Sequence, residues 1–104
     1  MYKLIDIKEA NDMVHKLVAT FKEVETEKFR VVRFGAYGYK DFTIYVKDDG
    51  LDVATRKKDA YLKRHRVNED WTDPLKKGTL SRYILWNLST LKASIKDYKK
   101  RFNL

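Results

Sequence analysis

The chain is predicted to be one α+β domain spanning residues 1–104, with an N-terminal antiparallel sheet of three to four strands packed by about three C-terminal helices. Three observations carry that prediction. Residues 1–46 place apolar and polar side chains in short alternating runs, the period of half-buried strands. Residues 51–104 instead repeat apolar side chains at three- and four-residue spacings, as helices with one buried face do. Strands come first and helices after, with no repeat, linker or low-complexity tract between them, which favours α+β over an alternating α/β chain.

Leu4, Ile5 and Ile7 mark a short opening strand, and Glu9 to Val14 is either a loop or a helical turn. In the second strand Leu17, Ala19 and Phe21 share one face, with Val18, Thr20 and Lys22 on the other. Glu25 to Lys28 reads as a turn, and Phe29 to Phe34 returns as the hairpin partner. Charged residues on the second face imply a sheet covered on one side only. Gly35 and Gly38 interrupt the pattern, Asp41 to Ile44 is expected as one more short strand, and Asp48-Asp49-Gly50 as a turn. Asp52 is the expected N-cap of a helix reaching about Arg66, followed by a loop from Val67 to Gly78 with an exposed Trp71. Thr79 or Ser81 opens an apolar helix over Leu80 to Asn87. Ser89 is the expected cap of a last helix, where Leu91, Ile95, Tyr98 and Phe102 form a stripe.

Aromatic residues make up 13% of the chain and hydrophobic residues 43%, enough for a core without disulfides, since cysteine is absent. That absence also removes thiolate metal sites and cysteine nucleophiles, and no cofactor is expected. The opening Met1 to Lys8 is charged from its third residue, and no apolar run approaches the roughly 18 residues of a membrane span. No signal peptide or transmembrane segment is therefore expected. The net charge of +8 is the main chemical signal. Residues 1–50 hold nine Lys/Arg against nine Asp/Glu, whereas residues 51–104 hold fourteen against six, so the whole excess lies in the second half. Segregated charge of this kind points to an acidic partner.

The candidate nucleic-acid contacts follow from that asymmetry. Arg56, Lys57, Lys58, Lys63, Arg64 and Arg66 fall on one predicted helix, and Lys92, Lys96, Lys99 and Lys100 line another. Such rows can follow a phosphate backbone without reading sequence. Tyr61 and Trp71 are placed to stack on bases, and Trp86 to anchor a partner contact. Competing chemistry is weaker. The 34–39 turn lacks the Gly-Lys-Ser/Thr ending of a phosphate loop and is read as packing Phe34 and Tyr39 against the helices. Asp48, Asp49 and Asp52 could gather Mg²⁺, and with Arg64 and His65 a small nuclease, but turn formation and capping explain all three. His15 and His65 have no partners that suggest a metal site, and no nucleophile and base pair is evident, so no catalytic residue is assigned and a non-enzymatic role is expected.

Four motifs stand in order along the chain: Phe34-Gly35-x-x-Gly38-x-x-Asp41-Phe42-Thr43, Tyr61-x-x-Arg64-His65, Gly78-x-Leu80-Ser81-Arg82-Tyr83-Ile84-Leu85-Trp86-Asn87, and Tyr98-x-x-Arg101-Phe102. Over residues 29–104 this order resembles a family of small basic proteins of uncharacterised function encoded by large nucleocytoplasmic DNA viruses. Ile44-Tyr45-Val46 departs from that pattern, where a tighter polar stretch opening on a histidine is expected. The resemblance implies a viral protein acting inside the infected host cell, in cytoplasm or nucleus, free or packaged in the virion. It implies no reaction. Two functions are expected from residues and resemblance together: sequence-independent nucleic-acid binding, or a minor capsid or cementing role against acidic capsid subunits or membrane head groups.

Overall fold

The computed structural model describes residues 1–104. The predicted alternation produces three antiparallel strands, β1 (Tyr2–Glu9), β2 (His15–Glu23) and β3 (Phe29–Ala36), in the order β1-β2-β3. Register sets Leu4 opposite Phe21 and Ile7 opposite Ala19 on one side, then Ala19 opposite Val32 and Leu17 opposite Phe34 on the other. A shift between Leu4 and Asp6 bulges β1. These partners make one apolar face, and Leu17, Ala19, Phe21 and Phe34 are buried there. The opposite face carries Lys3, Lys8, Lys22 and Arg33 and stays open, as the charge pattern required. Val18 is its buried exception, flanked by its register partners Lys8 and Arg33, whose stems can shield it.

The segment between β1 and β2 is a loop. Asp12 organises it: its carboxylate accepts the amides of Val14 (2.9 Å) and His15 (2.7 Å) and the His15 ring nitrogen (2.8 Å), and ion-pairs with Arg33 (3.3 Å). These contacts, the His15 amide first, hold the Asp12 carboxyl well below the usual carboxylate range.

The expected fourth strand at Asp41 to Ile44 is a helix, α1 (Phe42–Asp49). Asp41 is extended and caps it, its Oδ1 accepting the Ile44 amide at 3.2 Å. Thr43, Ile44 and Val46 favour strand locally, but the cap and the i, i+3, i+4 spacing of Phe42, Tyr45 and Val46 set the outcome. Gly50, at φ +90°, ends α1 and starts α2 (Leu51–His65). Asp52 therefore sits in the first turn of α2 rather than at its cap, where it complements the helix dipole. Asp48 and Asp49, expected in a turn, complete α1.

The apolar helix begins earlier than expected, as α3 (Lys77–Leu80), and widens into a π-helical turn over Ser81–Leu85. There the Trp86 amide donates to Ser81 O at 3.1 Å. The last helix, α4 (Leu91–Arg101), is capped by Thr90 and not Ser89, with the Thr90 hydroxyl accepting the Ala93 amide at 3.2 Å. Leu80, Ile84, Leu85 and Tyr98 join the inner sheet face in one core, and Tyr98 donates its hydroxyl proton to Pro74 O. The helices after residue 76 thus cover the sheet, while α2 packs on α1 to the side. No helix is long and apolar enough to cross a membrane.

Candidate nucleic-acid interface

The basic residues of α2 divide by helical geometry. Ala54 and Tyr61 define its buried side, and Lys58 falls on that side too. Lys58 reaches past the Phe42 ring, 5.0 Å from its centre, to donate to Asn87 O at 2.8 Å. Burial, followed by the nearby Arg82, lowers its pKa. Lys58 is therefore a strut between α2 and the chain after the π turn. Arg56, Lys57, Lys63, Arg64 and Arg66 are exposed on the rest of the helix. At 100° per residue, Arg56 stacks with Lys63 and Lys57 with Arg64 on adjacent stripes, and only Asp52 and Asp59 interrupt them.

On α4, Ser94 and Tyr98 face the core. Lys92, Lys96, Lys99 and Lys100 are all exposed and follow one outward row. The two rows lie on helices with different packing partners, α2 against α1 and α4 against the π turn, so they form two basic surfaces.

Ion pairing is more frequent in the sheet half, with four of nine cations paired, than in the helical half. Of the fourteen Lys/Arg in residues 51–104, only Arg101 is ion-paired, to Asp97 at 3.3 Å. In the sheet half Lys16, Lys22, Arg33 and Lys40 are each paired with a carboxylate. The Lys16–Asp41 pair is mostly buried, at 2.7 Å.

The three aromatic candidates have structural employment. Tyr61 is buried and its ring lies flat on Trp86, 4.4 Å between centres and 6° from parallel, with His65 stacked on its other side at 4.1 Å. Burial pushes the Tyr61 hydroxyl up to about 12. Trp86 is half-buried, with Tyr45 tilted beside it at 6.2 Å. Trp71 is half-buried rather than exposed, donating its indole N–H to Glu69 at 2.8 Å. Tyr61 has a ring stacked on it from both Trp86 and His65, Trp86 has one on it from Tyr61, and Arg82 lies over Trp71. The exposed aromatics are Tyr37, Tyr39 and Phe29, at the sheet's margins. Tyr39, expected to pack inward, is 73% exposed.

Glu69, which the sequence offers only as a proton-transfer partner for His65, is a structural hub. Besides Trp71, its carboxylate lies 3.4 Å from the His65 Nδ1, and a Cβ on Gly78 would fall 3.0 Å from it. His65 is thereby tied to the 67–76 loop. Arg82 was not singled out. It donates to Trp86 O at 3.0 Å and lies over Trp71 and Tyr83, and burial lowers its pKa. Within the motif from Gly78 to Asn87, Thr79 donates to Asp70 O, Arg82 to Trp86 O and Asn87 to Asp97 Oδ2.

Asp48 and Asp49 bind Lys40, at 3.4 and 3.0 Å, and no group of three or more His, Asp or Glu side chains stands close enough to hold a metal ion. No family model matches the chain, and no curated protein or solved structure is significantly similar to it.

Proposed function

We propose that this protein binds nucleic acid through the outer faces of α2 and α4 without reading its sequence. The unpaired state of the cations carries the reading: eleven of fourteen in the helical half, all but Lys58, Arg82 and Arg101, make no ion pair and no side-chain hydrogen bond and are free to contact phosphate. An unpaired cation that replaces the counterions of a phosphate gains their release, which an ion-paired one largely forfeits. Arg56 and Lys63, like Lys57 and Arg64, are seven residues apart, about 10 Å along the helix, close to the axial rise of three nucleotides. Lys92, Lys96, Lys99 and Lys100 supply a second, separate strip. Flexible Lys and Arg reaching phosphates position a protein on a nucleic acid but carry no base code. Under the viral resemblance, the same activity would serve inside the infected cell or the particle.

The test is the salt dependence of binding to a mixed-sequence duplex, read by fluorescence anisotropy. Five phosphate contacts from α2 predict a log–log slope of roughly −4 to −5. Replacing Arg56, Lys57, Lys63, Arg64 and Arg66 together by Gln should abolish measurable binding at moderate salt. Replacing the four α4 lysines should weaken it less. An affinity indifferent to salt, or unchanged by the five-residue α2 variant, would refute the proposal.

A further inference from the structure

We infer that the free edge of β3 receives an acidic, extended segment of a partner protein as a fourth strand. This does not depend on the nucleic-acid reading, because it concerns the opposite half of the molecule. β3 is the last strand of the sheet, eight residues long, and pairs only with β2. No backbone hydrogen bond links Phe29 to Phe34 with the 68–78 segment that runs beside it. The outward amides and carbonyls of β3 are thus unclaimed by the chain. A long, regular edge of this kind is normally blunted by a bulge, proline or inward charge. β1 has such a bulge, between Leu4 and Asp6, and alternates charges of both signs. β3 has neither bulge nor proline, its one charge on the core side is Arg30 opposite Phe21, and it exposes Phe29 and Val31 at 64% and 54%.

Charge selects the occupant. An open groove of 570 Å³ runs beside the strand, lined by Arg30, Val32, Leu75, Lys76 and Lys77 among others. Arg30, Lys76 and Lys77 have no ion-pair partner. Both carboxylates on the groove wall are occupied: Glu69 by Trp71 and His65, Asp70 by the Thr72 hydroxyl (2.6 Å) and amide (3.0 Å). The groove is therefore cationic with its own acids satisfied. A second copy would bring three more unpaired cations, Arg30, Lys76 and Lys77, with only two carboxylates, Glu69 and Asp70, so self-pairing adds net positive charge to the groove and is disfavoured. An acidic strand satisfies backbone and side chains together. Strand alternation then specifies its pattern: one set of side chains meets Arg30, Lys76 and Lys77 and is acidic, and the other lies beside Val31 on the open face and is apolar.

The experiment uses the full chain and an eight-residue peptide alternating Glu and Val, with its Lys-and-Val counterpart as control. Amide NMR and hydrogen exchange report the site. The inference expects shifts confined to residues 29–34 and 75–78, and outward β3 amides that exchange at least about tenfold more slowly with the acidic peptide. The R30E/K77E double variant should weaken that binding about tenfold or more, while K3E/K8E on the β1 edge leaves it within about twofold. Because the exchange readout is made on the unaltered protein, it stands even if a variant folds poorly. Equal binding of the Lys peptide, protection on β1, shifts confined to α2 and α4, no binding of the acidic peptide, or concentration-dependent protection of β3 without peptide would each overturn it.

Discussion

The two halves of this molecule hold nearly the same kinds of charged residue and treat them in opposite ways. In the sheet half four of nine cations are tied to carboxylates, among them Lys16 to Asp41, Arg33 to Asp12, and Lys40 to Asp48 and Asp49. In the helical half they stand in rows facing solvent, and Lys63 and Arg64, like Lys99 and Lys100, also fall in the last turn of their helix. That placement contributes about 0.3–1 kcal/mol per helix end through the dipole, so part of the segregated charge has a purely conformational reason. The contacts each makes, more than the net +8, distinguish a cation that holds the fold, by a carboxylate or, as for Lys58 and Arg82, by a backbone carbonyl, from one that is free for a partner.

The difference in surface does not extend to the interior, and core substitutions should show it with the largest effects. Phe21→Ala from the sheet and Tyr98→Ala from α4 each empty a fully buried site in the same cluster and should each cost about 3–5 kcal/mol. Both variants should unfold in one transition, with circular dichroism of strand and helix melting together. Two resolved transitions would show that the halves are separate units.

Asp41→Ala comes next. It leaves Lys16 mostly buried without its partner and removes the cap of α1, and should cost about 3 kcal/mol or more in a denaturant titration. Lys57→Ala, on the exposed side of α2, should change stability by no more than about 0.5 kcal/mol in the same titration. Gly35→Ala falls between them. At φ +81° a Cβ would be strained and would lie 2.7 Å from Leu85 Cδ1, so a loss of roughly 1–3 kcal/mol is expected.

These residues also show what the sequence made legible. Alternation in 17–21 and 29–34 revealed β2, β3 and their buried face, because a strand with one wet side must write its pattern in period two. The stripe of α4 was equally plain. Asp41 to Ile44 misled because β-branched residues speak for strand while capping by Asp41 depends on a geometry that residue types only suggest. The candidate site was half legible. Rows of cations can be placed on a helix by counting, and five of six on α2 do face solvent. Lys58 does not, since its acceptor, Asn87 O, lies 29 positions away in sequence. The stack of Tyr61 on Trp86 is a long-range contact of the same sort, invisible to spacing.

pH should act differently at its two extremes. Burial raises the folded pKa of Tyr61 to about 12 and that of Tyr98 also upward, so the neutral forms are favoured in the fold. Their contribution is complete below the ordinary tyrosine value near 10 and is lost as pH rises from about 10 through 12. Asp12, Glu23, Asp70 and Asp97 are lowered by hydrogen bonds to their charged forms, so their contribution is present above about pH 4 and fades as pH falls. Alkaline unfolding should therefore coincide with a cooperative rise in tyrosinate absorbance, and acid unfolding should not involve it. Independent, gradual titration of Tyr61 and Tyr98 in a folded protein would contradict this.

The smallest effect isolates what free cations cost. Lys92, Lys96 and Lys100 are spaced four apart on one exposed face of α4, where like charges repel by about 0.2–0.5 kcal/mol per pair. Lys96→Glu turns two repulsions into two attractions and should stabilise the protein by up to about 1 kcal/mol at low salt, with the gain vanishing as salt screens it. The same change should weaken duplex binding, since it removes one phosphate contact and adds a negative charge. Thermal melting and anisotropy on one variant would read both. A row kept only for folding or solubility would gain stability from this exchange and lose nothing else; a row that meets phosphate must lose affinity as it gains stability. Unchanged binding by Lys96→Glu would confine nucleic-acid contact to α2 and leave the α4 lysines as solvated helix surface.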